Sequence, residues 1–382
     1  MEIRYLRPEE KAEFQKISAA SFIWKFDPVT DSTVDADVIG AFDDGKLFAG
    51  IEKYNADLHY CGNKLNSIFF DSICTRPECR RLGGVRELFR TVADTALSDD
   101  LTLGFLHAFS IEYYKKFGFA NLFQTYSIKV PFEKLKNIPR SNDVTLYTGE
   151  QFSKLCELYN KCAVKENLTT CRNDKKYFCA TPIESADYTY IRRDKSGVPD
   201  GYVRFTVARP DSLIVKELFV LSPEALYALI GFLRNYDGIV KNLVVNKQYI
   251  GSAFAAMAEQ LDGACFETSG VYAGRIYNLK KLLESNTYPT EYGRFSLLSI
   301  DDIGHNNGIF DVEYQNGKAV VTHRKDGDYD IALTAPAAAK LLLSGEGYDE
   351  GTAVYIDGVR IHGDASDFFK AFPHRPTRIT EK

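Results

Sequence analysis

Strand-like and helix-like stretches alternate along the first part of the chain. Residues 67–75 (SIFFDSICT) are rich in apolar residues, and between Val85 and Ala96 the apolar positions recur every three or four residues. The first pattern is typical of a buried strand and the second of an amphipathic helix. Two earlier apolar stretches, 38–42 and 46–54, flank a DDG turn sequence, which predicts a hairpin. Alternating strands and helices that follow an antiparallel hairpin predict a mixed α/β sheet.

Two polar stretches that contain proline, residues 136–143 and 284–291, interrupt these patterns and predict domain boundaries. The segment between them repeats the element order of the first one. The last segment contains the dipeptide Asn316-Gly317, which favours a type I′ hairpin turn. The sequence therefore predicts three domains: residues 1–135, 136–285 and 286–382.

Composition and charge argue against several classes of protein. The 382 residues include 52 acidic and 47 basic side chains, a net charge of -5, without a long run of like charge. A nucleic-acid-binding protein would normally carry a basic surplus, so we expect no nucleic-acid partner. The longest apolar stretch, residues 225–233, is far shorter than the ~20 residues of a membrane span. The charged N-terminal stretch does not resemble a signal peptide, so we expect a soluble cytoplasmic protein.

The eight cysteines and six histidines do not form a recognisable metal motif. None of the cysteines forms a Cys-x-x-Cys pair, and the histidines are scattered. Zinc sites in proteins normally show such paired spacing. We therefore expect reduced cysteines and no bound metal.

Candidate chemistry concentrates at the junction between the strand at 67–75 and the helix that follows it. The adjacent Arg80 and Arg81 precede Gly83 and Gly84, which stand at the start of the helix. Glycines let backbone N–H groups converge, and a helix N-terminus attracts anions. Arginines add charge-assisted hydrogen bonds to phosphate. The pattern indicates a phosphate cradle, although the same residues would also suit a glycine-containing turn with solvated arginines.

A second motif, YKKFGF at residues 114–119, follows about 30 residues later. Together the two motifs resemble the GCN5-related N-acetyltransferase superfamily, although Val85 stands where its loop usually has Gly or Ala. The RRLGGVR string at 80–86 and the LHA string at 106–108 are similar to the Eis-like (enhanced intracellular survival) branch. The motifs cover residues 72–119, whereas the similarity of architecture covers nearly the whole chain. The resemblance implies two tandem acetyltransferase-type α/β (α+β) domains followed by a small sterol-carrier-like α+β domain.

The resemblance also implies acetyl-CoA as cosubstrate and assigns roles to residues. Tyr114 would protonate the departing CoA thiolate, because a phenol with an ordinary pKa near 10 is protonated at pH 7. The terminal carboxylate of Lys382 would accept the amine proton. However, a lysine ending differs from the aromatic ending common in the branch, and a disordered basic tail is the alternative. The residues assigned to the pantetheine and pyrophosphate of CoA are Ile73, Thr75, Arg80, Arg81, Gly83, Gly84 and Arg86.

The loop after the first helix holds candidate acceptor-binding residues. Trp24 and Phe26 stand beside Asp27 and further acidic residues. Aromatic faces and carboxylates suit a cationic ligand, although an acidic surface loop would show the same composition. By resemblance the acceptor is a small cationic amine, aminoglycoside- or polyamine-like, and the protein is a homo-oligomer, with a hexamer as one form.

The second segment lacks the phosphate cradle. Its strand-to-helix junction at residues 220–225 reads VLSPEA, without glycine or arginine. We therefore expect one active site per chain. Two other functions stay open at this stage: a non-catalytic protein that binds acyl-CoA or an apolar ligand, and a double-domain transferase that uses another acyl donor.

Overall fold

The predicted alternation of strands and helices forms mixed α/β sheets in the computed structural model, which describes residues 1–22, 37–174, 178, 187–249 and 251–380. The chain divides into two units that interleave along the sequence. The first comprises residues 1–58, 63–123 and 271–374, and the second comprises residues 59–62, 124–270 and 375–382. The two tandem mixed-sheet domains of the sequence analysis are confirmed.

The N-terminal part of the first unit is a mixed sheet. Its strands follow the order β1-β2-β3-β4-β5. β1, β2 and β3 pair antiparallel in turn, β4 is the next neighbour of β3, and β4 and β5 run parallel. The bounds are β1 (Glu2–Tyr5), β2 (Asp37–Asp43), β3 (Lys46–Tyr60), β4 (Asn63–Thr75) and β5 (Leu103–His107).

Helices cover both faces of this sheet. Helix α1 (Lys11–Phe22) buries Phe14 in a cluster that includes Val38, and α2 (Gly84–Thr95) buries Phe89 in a cluster that includes Ile39. Successive strand residues point to opposite faces, so the two helices lie on opposite sides of β2. Burying one such phenylalanine stabilises the fold by about 1.5–3 kcal/mol. Helix α3 (Ile111–Lys115) follows β5.

The second unit is built in a similar way. Its strands have the order β6-β11-β10-β9-β8-β7, with β10 and β11 parallel. The predicted helix after Ser222 is present, and the Ser222 hydroxyl caps it by accepting the N–H of Ala225 at 3.1 Å. The bounds are β6 (Ala120–Pro131), β7 (Val144–Leu146), α4 (Phe152–Ala163), β8 (Tyr188–Arg193), β9 (Pro199–Ala208), β10 (Ser212–Val220), α5 (Pro223–Leu233), β11 (Asn242–Gln248) and α6 (Ala253–Ala258).

Later in the chain, β13 to β17 of the first unit form a separate five-stranded sheet with the order β15-β14-β13-β16-β17. The predicted hairpin is present, and both Asn316 and Gly317 have the positive φ (54° and 82°) that a type I′ turn requires. Whether this part is sterol-carrier-like stays a prediction. The bounds are β12 (Cys265–Ile276), α7 (Leu279–Ser285), β13 (Gly293–Ile300), β14 (Gly308–Gln315), β15 (Lys318–Arg324), β16 (Ile331–Thr334), α8 (Ala335–Leu343), α9 (Glu350–Ala353), β17 (Val359–Ile361) and α10 (Ser366–Ala371).

The two units have limits of their own, and the domain boundaries at residues 135 and 285 stay a prediction. The end of β12, from Tyr272 to Ile276, pairs antiparallel with β5 and so belongs to the first unit. Such pairing between distant segments leaves no mark in the local composition from which the boundaries were predicted. None of the described helices has the length and apolar character that a membrane crossing requires.

Candidate functional site

The parallel strands β4 and β5 separate part of the way along their length. Their paired residues run only from Ser67 with Leu103 to Phe70 with Leu106, whereas β4 continues to Thr75. Ser72 has a positive φ of 48°, a conformation that turns the strand at this point. The backbone of Ile73 to Thr75 therefore borders an opening, where its polar groups are available to a ligand that adds a strand.

A cleft of about 830 Å³ lies at this opening, entirely within the first unit. Of the twelve residues predicted for the site, eight line this cleft together. They are Ile73, Thr75, Arg80, Arg81, Gly83, Gly84, Arg86 and Tyr114.

The loop between β4 and α2 forms one wall of the cleft. Gly83 stands directly before α2 with a φ of 87°, which favours glycine, and none of the described side chains caps the helix there. The backbone N–H groups of Gly84, Val85 and Arg86 in the first turn of α2 therefore have no partner within the helix. A helix N-terminus in this state attracts an anion.

Gly84 has a different role from Gly83. A Cβ atom at Gly84 would lie 2.6 Å from the ring of Phe48, whereas no atom of the described residues lies within 4 Å of the corresponding position at Gly83. Gly84 is therefore required by the close packing of α2 on β3. Because Gly83 has no side chain, a ligand in the cleft can approach its backbone closely.

We expect Gly84→Ala to lower the free energy of unfolding by about 1–3 kcal/mol, because the added methyl group overpacks against Phe48. Urea denaturation would measure this change. Gly238→Ala is the control for replacing a glycine as such, since Gly238 has no positive φ and no described atom lies within 4 Å of the position of its Cβ. Unchanged stability of Gly84→Ala would show that Phe48 can move aside.

The walls of the cleft carry positive charge. Arg80, Arg81 and Arg86 are exposed, and none of them has a side-chain hydrogen bond or ion pair within the described part of the chain. Lys116 also lines the cleft, with its Nζ 3.9 Å from the ring centroid of Tyr113. Acidic side chains are absent from the described residues that line it. This combination suits a ligand with several phosphate groups.

Tyr114 is held in helix α3 by its neighbours. The helix begins at Ser110, whose hydroxyl accepts the N–H of Tyr113 at 3.2 Å. The ring of Tyr114 is 3% exposed and packs edge-on against Tyr113 and Phe109, with centroid distances of 5.1 and 5.5 Å. Burial raises the pKa of the Tyr114 hydroxyl above its ordinary value, and the nearby charge of Asp71 contributes in the same direction. The hydroxyl therefore stays protonated at neutral pH.

Arg275, from the far end of β12, supports the turn that follows Tyr114. Its guanidinium donates to the carbonyl of Phe117 and forms a buried ion pair with Asp301, with N–O distances of 2.8 and 2.9 Å. A side chain at Gly118 would clash with this guanidinium, and Gly118 also has a φ of 82°. The glycine of the YKKFGF motif is thus explained by an arginine about 160 residues away, which the sequence analysis did not identify.

The other predicted site residues lie outside the described residues: Trp24, Phe26, Asp27 and Lys382. The cleft instead shows aromatic residues that the sequence analysis did not assign. Phe109 is 75% exposed and Phe22 is 47% exposed, both unusually high for phenylalanine at a folded surface. Phe22 ends α1, immediately before the predicted acceptor loop. Phe109 directly follows the LHA string at 106–108, and only this position could have indicated it.

The second unit also opens between its parallel strands, and C-terminal residues of the chain line that opening. The pairing of β10 with β11 runs from Ser212 with Asn242 to Val215 with Val245. Beyond it, a cavity of about 370 Å³ is lined by residues of both strands and by the C-terminal residues 378–380. The strand-to-helix junction of this unit at residues 220–225 contains neither glycine nor arginine, unlike the loop at the cleft of the first unit.

Residues 377–380, near the C-terminus, are buried. Arg378 is 6% exposed and forms an ion pair with Glu166 at 2.7 Å. The Thr380 hydroxyl contacts the Tyr159 hydroxyl at 2.8 Å and accepts the backbone N–H of Thr170 at 2.9 Å. These described residues therefore do not form the disordered tail that the sequence allowed. Within the described chain, no group of three or more His, Cys, Asp or Glu side chains is placed to hold a metal.

Comparisons with known families find one match in each of the two tandem mixed-sheet domains. Residues 2–122 match one acetyltransferase (GNAT) domain family, and residues 171–269 match a second acetyltransferase (GNAT) domain family. A search of curated proteins finds no significant match.

Several solved structures share the fold over the whole chain at low sequence identity. A probable N-acyltransferase from Enterococcus faecalis superposes with a TM-score of 0.86 at 16% identity, covering 100% of this chain and 98% of its own. A GCN5-related N-acetyltransferase from Anabaena variabilis gives 0.84 at 18% identity, with coverage of 99% and 100%. Eis1 from Mycobacterium abscessus gives 0.79 at 16% identity, with coverage of 98% of each chain.

Proposed function

The chain carries two tandem domains of the GNAT acetyltransferase type, and from this premise we propose that it is an acetyl-CoA-dependent N-acetyltransferase of the Eis-like branch. Its acceptor is a primary amine of a small cationic molecule. The observation that carries the proposal is the cleft of the first unit, where a basic glycine loop and a buried, protonated tyrosine meet at the end of β4.

Acetyl-CoA suits this cleft. The first-turn N–H groups of α2 and the exposed Arg80, Arg81 and Arg86 would hold the pyrophosphate. The free backbone of β4 between Ile73 and Thr75 would pair with the amides of the pantetheine arm. Acetyl-CoA supplies the thioester whose carbonyl carbon is transferred.

The chain's own residues would orient the reactants and supply a proton. Holding the amine and the thioester in line accounts for much of the expected rate, because binding removes the entropy cost of their encounter. Backbone N–H groups of the separated β4 would stabilise the developing oxyanion. Tyr114 would donate its proton to the departing thiolate, and its raised pKa keeps that proton available at neutral pH.

The acceptor would enter beside the end of α1. Phe22 presents an exposed aromatic face there, and the proposed binding residues Trp24, Phe26 and Asp27 follow in the chain. Aromatic faces and carboxylates together favour an ammonium group. An aminoglycoside or a polyamine carries several such groups.

A coupled thiol-release assay with the purified protein tests the proposal. We expect CoA to form from acetyl-CoA in the presence of aminoglycosides or polyamines and not in their absence, with palmitoyl-CoA as the comparator donor. Calorimetry with acetyl-CoA alone separates a protein that binds acetyl-CoA from one that does not, whereas thiol release separates an enzyme from a binding protein. Tight binding without transfer to any amine would favour a non-catalytic acyl-CoA sensor.

We further propose that the terminal carboxylate of Lys382 takes part in catalysis, as the Eis-like resemblance implies. The described C-terminal segment is anchored by Arg378 and Thr380. Appending residues after Lys382 should therefore lower turnover by at least about 10-fold, whereas the same tag at the N-terminus should not. Thiol release by the two tagged proteins measures the difference. Full activity of the C-terminally extended protein would contradict this role.

A further inference from the structure

A buried ion pair contacts the turn that follows the helix of Tyr114. Arg275 and Asp301 are only 1% and 3% exposed, and Nη2 of Arg275 donates to both carboxylate oxygens of Asp301, at 2.8 and 2.9 Å. Buried ion pairs contribute little net stability, because the cost of removing two charges from water offsets their attraction. Stability alone therefore does not explain why an arginine stands at this position.

The guanidinium of Arg275 connects two segments of the first unit. Its Nη1 donates to the carbonyl of Phe117, while its Nη2 binds Asp301. Nη1 also occupies the space that a Cβ atom at Gly118 would take. A guanidinium is planar and keeps its donors in a fixed arrangement. Arg275 therefore fixes the turn at Phe117 and Gly118 relative to Asp301.

Asp301 directly follows β13 and is held by the loop that it begins. Its Oδ1 accepts the backbone N–H groups of Ile303 and Gly304, at 3.2 and 3.0 Å. Asn307 closes the loop, because its side-chain oxygen accepts the N–H of Asp301 at 2.8 Å and its side-chain N–H donates to the carbonyl of Asp301 at 2.6 Å. The loop thus provides a fixed anchor for the guanidinium.

Tyr114 depends on this turn for its position. Helix α3 has only five residues, which are too few to form a stable helix by themselves. The carbonyl of Tyr114 accepts the N–H of Phe117 at 2.9 Å and the N–H of Phe119 at 3.3 Å. The rings of Phe117 and Phe119 also pack against the ring of Tyr114, with centroid distances of 6.4 and 6.2 Å. A shift of the turn would therefore move the Tyr114 hydroxyl.

We propose that Arg275 is a positioning residue for the proton donor. Through the carbonyl of Phe117 it holds the Tyr114 hydroxyl at the place where the departing thiolate forms. Asp301 acts as the anchor of Arg275, so the loop after β13 takes part in building the acetyltransferase site. Neither Arg275 nor Asp301 lines the cleft. Such remote support matters for the rate, because a displacement of about 1 Å at a reacting group can lower turnover about 100-fold.

This inference rests on the proposed acyl transfer, and Arg275→Lys tests it in the full-length protein. A lysine keeps the positive charge beside Asp301 but lacks the planar set of donors that also reaches Phe117. We expect kcat to fall about 10- to 100-fold, while KM and the calorimetric affinity for acetyl-CoA change by less than about 3-fold. An unchanged kcat, or a loss that lies mainly in acetyl-CoA affinity, would overturn the proposal.

A double-mutant cycle separates the positioning of Tyr114 from a general loss of structure. The Tyr114→Phe protein has no hydroxyl left to position, so adding Arg275→Lys should change its kcat by less than about 3-fold. Arg172→Lys is the matched control, since Arg172 is also 1% exposed and is paired with Glu217 at 2.7 Å in the second unit. It should change kcat by the same factor with and without Tyr114→Phe. If Arg275→Lys caused its full loss of kcat in the Tyr114→Phe protein too, the positioning role would be wrong.

Hydrogen exchange followed by mass spectrometry tests the support of the turn without any turnover. Peptides that contain Phe117 and Phe119 should exchange at least about 10-fold faster in Arg275→Lys than in the wild type, because the hydrogen bonds to Tyr114 open more often. Peptides from α2 should keep their wild-type rate. Unchanged exchange at the turn would overturn the proposal even if activity fell. If the wild type transfers acetyl to no amine, the proposed acyl transfer fails, whereas faster exchange in Arg275→Lys would still support the hold of Arg275 on the turn.

Discussion

Replacing Tyr114 by phenylalanine should lower turnover by roughly 10²–10⁴-fold while leaving acetyl-CoA affinity nearly unchanged. The phenyl ring retains the packing against Tyr113 and Phe109, so the fold and the cleft should persist. Only the proton for the thiolate is lost. Steady-state thiol release measures the change in kcat, and calorimetry with acetyl-CoA measures affinity.

Tyr113→Phe is the matched control, because Tyr113 lies next to Tyr114 and also lines the cleft. We expect it to stay within a few-fold of the wild type. Because the pKa of Tyr114 is raised, deprotonation of this group should not limit the wild-type rate below about pH 10. Near-normal turnover of Tyr114→Phe would show that water or another group protonates the thiolate.

The double variant Arg80→Ala/Arg81→Ala should weaken acetyl-CoA binding by about 10²- to 10⁴-fold, since each charged hydrogen bond to phosphate contributes about 1.5–3 kcal/mol. Both arginines are exposed and are not paired with any described residue, so their removal should leave the melting temperature unchanged. Isothermal calorimetry at fixed ionic strength gives the dissociation constant.

Arg90→Ala provides the control for loss of positive charge near α2. Arg90 lies on the same helix, is paired with Glu87 at 2.9 Å, and does not line the cleft. Its replacement should change acetyl-CoA affinity by less than about 3-fold, because exposed ion pairs contribute at most about 1 kcal/mol. Equal affinities of the wild type and the double variant would contradict the assignment of the phosphate cradle.

The local elements of this protein follow from its sequence. The strand–loop–helix junction at residues 72–86 combines an apolar run, two glycines and a helical spacing of apolar residues, all within one short stretch. The Asn316-Gly317 turn likewise depends only on the φ values that its own residues favour. The geometry of such a contiguous motif depends mainly on its own residues. The basic loop at residues 80–86 and the helix that holds Tyr114 could therefore be predicted.

Only the tertiary structure determines how the basic loop and the helix of Tyr114 come together in one site. The cleft exists because the pairing of β4 with β5 stops after Phe70, and the turn after Tyr114 is held by Arg275 from the other end of the first unit. Arg275 gives no sign in the sequence, because the partners of an arginine in a strand depend on which distant residues the fold brings next to it. Strand pairing and packing bring together residues that are far apart in the chain. The hydrophobic periodicity of a segment indicates only which of its own residues are buried.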